Sequence, residues 1–332
     1  MVNKMIKLIA FAVRPDELAA FERFSKKLDL DIKLVKESLS SDNVELTQGY
    51  EGVAFLGNCD LSKNVLEKLS TNGIKFLASR SAGYNNVDIE VAKELGLKFS
   101  NASYSPHCVA DFAVMMVLMA VRKMKSIMKR VEMNDYSLPG IQGKEMHNLT
   151  FGVIGTGRIG QVAARNLSGF GGRIIGYDVY EDDAIKDVLE YVSLDTLLAE
   201  ADVITLHAPL FESTHHIINE SNLAKTKEGV VIVNCARGEL IDTSALIKYL
   251  DNGHIGAVGL DVLEGELGIF HVDHRLGQVV NHELSILQSY KNVIVSPHAS
   301  FYTDQAVSDM VEVSLESLVS FIKTNKSPNE II

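Results

Sequence analysis

Phe151-Gly152-Val153-Ile154-Gly155-Thr156-Gly157-Arg158-Ile159-Gly160 is a short apolar run that enters a Gly-x-Gly-x-x-Gly turn. The chain leaves that turn with helical periodicity through Gln161-Val162-Ala163-Ala164-Arg165-Asn166-Leu167. Such a turn can cradle the phosphates of a dinucleotide. Gly155 permits a tight bend, Gly157 lets the backbone approach a pyrophosphate, and Gly160 lets the helix lie against its strand, while unpaired N–H groups at the helix start face the phosphates. A second apolar run, Arg173-Ile174-Ile175-Gly176-Tyr177, ends at Asp178. That is about 20 residues past the turn, where a carboxylate accepts hydrogen bonds from ribose hydroxyls. The same carboxylate repels a 2′-phosphate, and Glu181, Asp182 and Asp183 follow it. The pattern therefore favours NAD over NADP.

Working outward, 332 residues suit two domains better than one core. Hydrophobic residues at 46% and charged residues at 23% are ordinary for a folded globular chain. A formal net charge of −11 argues against a nucleic-acid or membrane-surface partner, either of which needs a basic face. The three cysteines, Cys59, Cys108 and Cys235, have no CxxC spacing, which points to a reducing compartment and to no metal cluster. Residues 1–13 carry lysines before an apolar run, yet they lead straight into Arg14-Pro15-Asp16 without a small-residue cleavage pattern, so they read as a first strand rather than a leader. The longest apolar stretch, 109–121, contains Asp111 and is too short to span a bilayer.

Before the glycine turn, β-like runs at 5–13, 31–35, 52–56 and 74–79 alternate with amphipathic helical ones at 16–28, 62–70 and 88–95. Alternation predicts a parallel α/β sheet. The last of these strands feeds Arg80-Ser81-Ala82-Gly83-Tyr84-Asn85-Asn86-Val87-Asp88, a small-residue loop that either holds a carboxylate on its N–H groups or is an ordinary turn. Ser105 and Pro106 then open a long helix, expected over 106–131. After Asp178 the alternation resumes, and His207-Ala208-Pro209, Cys235-Ala236-Arg237-Gly238, Asp261 and Pro297-His298 each fall just past a predicted strand end. Open α/β sheets bind their ligands at that edge, so these residues are expected to share one crevice.

A nicotinamide enzyme needs an anchor for its substrate, a group to polarise the carbonyl and a proton source. Arg237 suits the first two tasks, because a guanidinium grips a carboxylate through two hydrogen bonds. His298 suits the third, with Asp261, Glu264 and Glu266 as candidate acidic partners for its ring. Cys235 as a nucleophile lacks a histidine predictably placed to activate it. His271 and His274 read as a solvated loop rather than a metal pair, and the Gly-x-Ser-x-Gly elbow of a hydrolase is missing.

Taken together, Gly155-Thr156-Gly157-Arg158-Ile159-Gly160, Asn234-Cys235-Ala236-Arg237-Gly238, Gly259-Leu260-Asp261-Val262 with Glu266, and Ser296-Pro297-His298 resemble, in order and approximate spacing, the D-isomer-specific 2-hydroxyacid dehydrogenases. The resemblance covers essentially the whole chain. Within that family it is most similar to the D-lactate dehydrogenases, including the vancomycin-resistance type, through Tyr104-Ser105-Pro106 and Val262-Leu263-Glu264-Gly265-Glu266. It implies two Rossmann-like parallel-sheet domains, an NAD-binding domain at 102–299 inserted into a flavodoxin-like substrate domain made of 1–101 and 300–332. It also implies that Arg237 binds the 2-oxoacid, that His298 donates the proton and that Glu266 is its partner. Ala82 and Gly83 would hold the substrate carboxylate through their N–H groups, with Tyr104 assisting and with Leu56 and Phe301 lining an apolar pocket. NAD would touch Gly155, Thr156, Gly157, Arg158, Ile159, Gly160, Asp178, His207, Ala208, Pro209, Thr214, Cys235, Ala236, Arg237 and Asp261. The activity expected is reversible reduction of pyruvate to D-lactate in the cytoplasm, by a homodimer joined through the helix after Tyr104. The alternatives are reduction of larger 2-oxoacids, such as 2-oxoisocaproate or phenylpyruvate, and a non-enzymatic NAD-sensing scaffold.

Overall fold

The alternation of apolar runs and amphipathic segments is realised as two separate parallel sheets, of five and seven strands. The computed structural model describes residues 5–332; residues 1–4, the head of the segment weighed as a leader, lie outside the described residues. The chain divides into two compact units, Met1–Ser105 with Tyr302–Ile332, and Pro106–Phe301. The first junction falls four residues later than the 101/102 boundary expected from the sequence. The Ser105 N–H is donated to the Asp309 carboxylate at 3.0 Å, which ties the segment before Pro106 to the first unit.

Unit 1 contains strands β1 (Ile6–Ala10), β2 (Leu30–Leu34), β3 (Gly52–Phe55), β4 (Phe76–Ser79) and β5 (Lys98–Ser100), in the order β2-β1-β3-β4-β5. This is the flavodoxin-like order. Helices α1 (Leu18–Leu28), α2 (Lys63–Thr71) and α3 (Ile89–Glu94) alternate with the strands, and a late helix at Asp304–Thr324 returns to pack on α1, β3 and β4. The central strands are buried on both faces, one against the cluster of Phe55, Leu66 and Phe99 and the other against Phe21, Leu315 and Leu318. A buried pair, absent from the sequence reading, braces this sheet. Arg80 and Glu17 both have 0% exposure, with Arg80 Nε donating to Glu17 Oε1 at 2.9 Å and Nη2 to the Phe11 and Ala12 carbonyls at 2.9 and 3.2 Å.

Unit 2 opens with α4 (His107–Val121) and α5 (Met124–Glu132) in place of the single long helix expected over 106–131. The break has a visible cause. Lys123 is left-handed with φ 55°, and the returning chain crosses the helix end, where Lys144 N–H takes the Val121 carbonyl at 3.3 Å. A Cβ on Gly143 would stand 2.8 Å from that same carbonyl. Seven parallel strands follow: β6 (Thr150–Ile154), β7 (Arg173–Tyr177), β8 (Glu190–Tyr191), β9 (Val203–Leu206), β10 (Val230–Asn234), β11 (Ile255–Leu260) and β12 (Val293–Val295). Helices α6 (Arg158–Ser168), α7 (Leu194–Glu200), α8 (Glu220–Leu223), α9 (Thr243–Asp251) and α10 (His282–Ser289) connect them, and the late helix of unit 1 is α11. The order β12-β11-β10-β9-β6-β7-β8 reverses direction between β6 and β9, the switch point at which doubly wound sheets open a crevice. The short β5, β8 and α10 escaped the sequence reading because few residues carry their periodicity.

Candidate active site

The turn after β6 lies at the switch point of unit 2. Gly155 has φ 89°, and a Cβ there would stand 2.4 Å from the Ala208 nitrogen, so the turn presses against the chain leaving β9. A Cβ on Gly160 would stand 1.9 Å from the Gly155 carbonyl, which forces helix and turn together. Gly157 differs: a Cβ there would meet nothing within 4 Å, so its backbone faces open space at the start of α6. Close packing at two glycines and open space at the third is what a pyrophosphate cradle requires.

Asp178, just past β7, already accepts hydrogen bonds from Thr156 N–H at 2.6 Å and Tyr180 N–H at 3.1 Å, which aims its carboxylate across the turn. His207, just past β9, bonds through Nε2 to Thr205 Oγ1 at 2.9 Å, while its buried Nδ1 has no partner among the described residues. Burial pushes this imidazole down to about 4, so the ring is neutral at physiological pH. An orphaned buried nitrogen beside a glycine cradle suits a polar ligand, and the chain fits NAD at this edge. Of the other expected cofactor residues, Arg158 is exposed and Ile159 half-buried at the start of α6, and Ala208 is buried. Pro209 and Thr214 form one turn, in which Thr214 Oγ1 donates to the Pro209 carbonyl at 2.7 Å and accepts from Phe211 N–H at 2.8 Å.

The loop after β10 is held by Asn234, which is fully buried. Its side chain accepts from Ala236 N–H at 3.0 Å and donates to the Arg237 carbonyl at 2.7 Å, which fixes the backbone that carries the Arg237 guanidinium. Arg237 itself is half-buried, with Nη1 on the Ala236 carbonyl at 2.6 Å. Gly238 brings this loop against the turn after β11, since a Cβ there would stand 2.1 Å from Leu263 C and 2.2 Å from Glu264 N. Burial pushes the Cys235 thiol well up, so no reactive thiolate stands there.

The tertiary structure separates the three candidate partners of His298. Glu266 Oε1 meets His298 Nδ1 at 2.5 Å, and Oε2 accepts Leu263 N–H at 2.7 Å. Glu264 turns away to His216, at 3.2 Å. Asp261 has 0% exposure and its carboxylate is wrapped by the His298 loop, accepting from Ser296 Oγ–H at 2.5 Å and from Ala299 and Ser300 N–H at 2.8 Å each. The Asp261 carboxylate therefore braces the loop that carries His298. His298 needs such a clamp. Its φ is 52°, a left-handed conformation that costs a non-glycine residue about 1–3 kcal/mol, offset by the bonds to Asp261. His271 adds a further hold through a 2.9 Å bond between Nε2 and the His298 carbonyl, and Phe301 lies edge-on to the His298 ring at 6.3 Å. His274 bonds instead to the Ile269 carbonyl at 3.1 Å, so His271 and His274 do not converge on one point.

The remaining expected substrate residues belong to unit 1. The carbonyls of Ala82 and Gly83 accept from Asn101 Nδ2 at 2.8 Å and Ser81 Oγ at 2.8 Å, while their N–H groups have no acceptor among the described residues. Tyr104 is half-buried just before the junction. Leu56, at 9% exposure, packs into the unit 1 core rather than presenting a face.

A glycine cradle for a dinucleotide, a fixed arginine and a histidine–carboxylate pair, all on the carboxyl edge of one sheet, define a nicotinamide-dependent dehydrogenase. The family model described as "D-isomer specific 2-hydroxyacid dehydrogenase, NAD binding domain" matches residues 114–300. An aromatic 2-oxoacid reductase of Clostridium sporogenes is 44% identical over 95% of this chain and 96% of its own. A D-lactate dehydrogenase of Lactiplantibacillus plantarum is 39% identical over 98% of this chain and 99% of its own. Among solved structures, a D-2-hydroxyisocaproate dehydrogenase superposes with a TM-score of 0.91 at 35% identity, covering 98% of this chain and 99% of that one. The chain therefore belongs to the D-isomer-specific 2-hydroxyacid dehydrogenase family and is an NAD-dependent oxidoreductase.

Proposed function

We propose that the protein reduces pyruvate to D-lactate, reversibly, with His298 as the proton donor. The observation that carries the proposal is the His298–Glu266 pair: a carboxylate can only accept, so Nδ1 keeps its proton and Nε2 is the atom left to exchange one with substrate. NADH, when bound, supplies a hydride to the carbonyl carbon. Arg237 grips the substrate carboxylate and polarises the adjacent carbonyl, its backbone held by Asn234 so that little ordering is left for the moment of binding. The family resemblance implies that the N–H groups of Ala82 and Gly83 also hold the substrate carboxylate, with Tyr104 assisting. Protonation at oxygen from His298 Nε2 completes the alcohol.

Pyruvate as substrate is supported by the D-lactate dehydrogenase likeness. A second reading, reduction of larger 2-oxoacids, is favoured by the aromatic 2-oxoacid reductase likeness and by the Phe301 ring beside His298. NADH oxidation measured with pyruvate, 2-oxoisocaproate, phenylpyruvate and 2-oxoglutarate, with the product's chirality assigned, separates them. Highest kcat/KM for pyruvate with D-lactate as product supports the first reading, and a bulkier preferred substrate moves the assignment to the second. Turnover of no 2-oxoacid overturns both.

We also infer a cytoplasmic homodimer. Cys59, Cys108 and Cys235 are buried and have no CxxC spacing, as suits a reducing compartment. Among the described residues no helix is long and apolar enough to cross a membrane. No residue of α5 is buried, and Met128, Val131, Met133, Tyr136 and Leu138 form an exposed apolar run along and after it, a face suited to a second copy. Light scattering tests this, with a monomeric mass counting against it.

A further inference from the structure

Three metal-competent side chains meet on unit 2 outside the residues given a role in the reaction. His215, His216 and Glu264 each offer one ligand atom, and these atoms all lie within 4.8 Å of one another. His216 Nε2 stands 3.2 Å from Glu264 Oε1. Two donors each about 2.1 Å from a shared zinc ion, at near-tetrahedral angles, stand roughly 3.2–3.5 Å apart. That pair thus already has the separation of two ligands on one ion.

The His215 ring lies face to face with that of His216, with centroids 3.9 Å apart and planes 27° from parallel. His215 is exposed, and its donor atom already lies within 4.8 Å of the other two. His216 is held more firmly. Its φ is 50°, its N–H is donated to the Glu239 carbonyl at 2.8 Å, and its own carbonyl accepts from Asn219 Nδ2 at 3.0 Å. One fixed imidazole, one adaptable imidazole and a carboxylate make a donor set that suits zinc and its borderline neighbours and is a poor match for magnesium or calcium, which take oxygen ligands.

Glu264 lies two residues before Glu266, in the turn where Glu266 Oε2 accepts Leu263 N–H and Oε1 holds His298. We propose that His215, His216 and Glu264 bind one divalent transition-metal ion of the zinc class, and that its binding restrains the 262–266 turn and lowers turnover. The binding rests only on these three side chains; the effect on turnover rests in addition on the dehydrogenase reading above.

The test is zinc itself, titrated by calorimetry into the full chain in chelator-treated buffer and, separately, into the NADH assay with the preferred 2-oxoacid. One zinc ion per chain is expected, with His215→Ala and Glu264→Gln each weakening binding by about 10-fold or more, since loss even of an outer-shell partner costs that much. Magnesium should give no heat. His215 is exposed, so His215→Ala leaves the fold intact, and a matching melting temperature checks this. Both variants should keep zinc-free turnover and require correspondingly more zinc for half-inhibition. Zinc binding that neither variant weakens, or no binding below millimolar zinc, overturns the site. Binding that both variants weaken, without any inhibition of the wild type, overturns the coupling to the turn. Failure of turnover with every 2-oxoacid would sink the dehydrogenase reading and leave the calorimetric result standing.

Discussion

Unit 1 contains an arginine–carboxylate pair and unit 2 a histidine–carboxylate pair, and the two differ in what surrounds them. Arg80 and Glu17 are both fully buried, and Arg80 also serves two backbone carbonyls of the loop after β1. His298 and Glu266 keep 28% and 23% of their side-chain surface, and one ring nitrogen of His298 is not engaged by Glu266. Burial makes the first pair part of the scaffold, because neither member can lose its partner without leaving an uncompensated charge in a dry interior. Partial exposure leaves the second pair able to exchange a proton. Ion-pair geometry by itself therefore says little about role; its surroundings decide.

The largest effect should come from the half-exposed pair. His298→Ala is expected to lower kcat by about 10²–10⁴-fold with NADH affinity nearly unchanged, since the glycine cradle is untouched. Stopped-flow binding alongside steady-state turnover checks this, and undiminished turnover would remove His298 from its role. The buried pair should answer in stability instead. Arg80→Met is expected to destabilise unit 1 by about 3–5 kcal/mol, seen as an early transition in calorimetry, whereas Glu266→Gln, at a half-exposed pair, should cost less than about 1 kcal/mol. Equal losses from the two variants would erase the distinction.

His207 sharpens the comparison from the acid side. Burial lowers its imidazole from the ordinary 6.5 to about 4, so between those values the unfolded chain binds a proton that the folded chain refuses. Its contribution is complete above about pH 6.5 and is lost as pH falls towards about 4, by up to about 3 kcal/mol. Melting curves across that range should slope less in His207→Gln than in the wild type; identical slopes would refute the burial argument. Arg237→Lys replaces a planar fork by a point charge and should raise the KM for the 2-oxoacid by roughly 10–100-fold, with unchanged kinetics counting against the anchor. Smallest among the kinetic effects, Glu266→Gln should lower kcat by about 10-fold, part of the general-acid contribution, by freeing the ring to adopt the wrong tautomer. Turnover equal to wild type would mean that the pair does not orient His298.

Much of this was legible before folding. The glycines of 155–160 and the carboxylate at Asp178 declare themselves because their tasks are local: a tight turn, a close approach and a strand end are set by a few consecutive residues. Arg237 and His298 were visible for a related reason, as polar residues just past apolar strands, where a parallel sheet gathers its ligands. Asn234 stood in the quoted motif, yet its task, bracing the Arg237 backbone, depends on a turn geometry that spacing does not reveal. The break between α4 and α5 was hidden because apolar periodicity continues through Lys123, and only the crossing chain at Gly143 and Lys144 takes the carbonyl that would have extended the helix.

Sequence alone determined the alternating α/β plan, the dinucleotide turn and a short list of groups able to do the chemistry, since each follows from the covalent order of neighbouring residues. Position along the chain left Asp261, Glu264 and Glu266 open, and only the resemblance pointed to Glu266; the tertiary structure sends the first into the loop, the second to His216 and the third to His298. It also paired Arg80 with Glu17 across 63 positions of chain. The reason is physical: a hydrogen bond forms over about 3 Å of space, and separation along the chain does not set that distance until the sheets have packed.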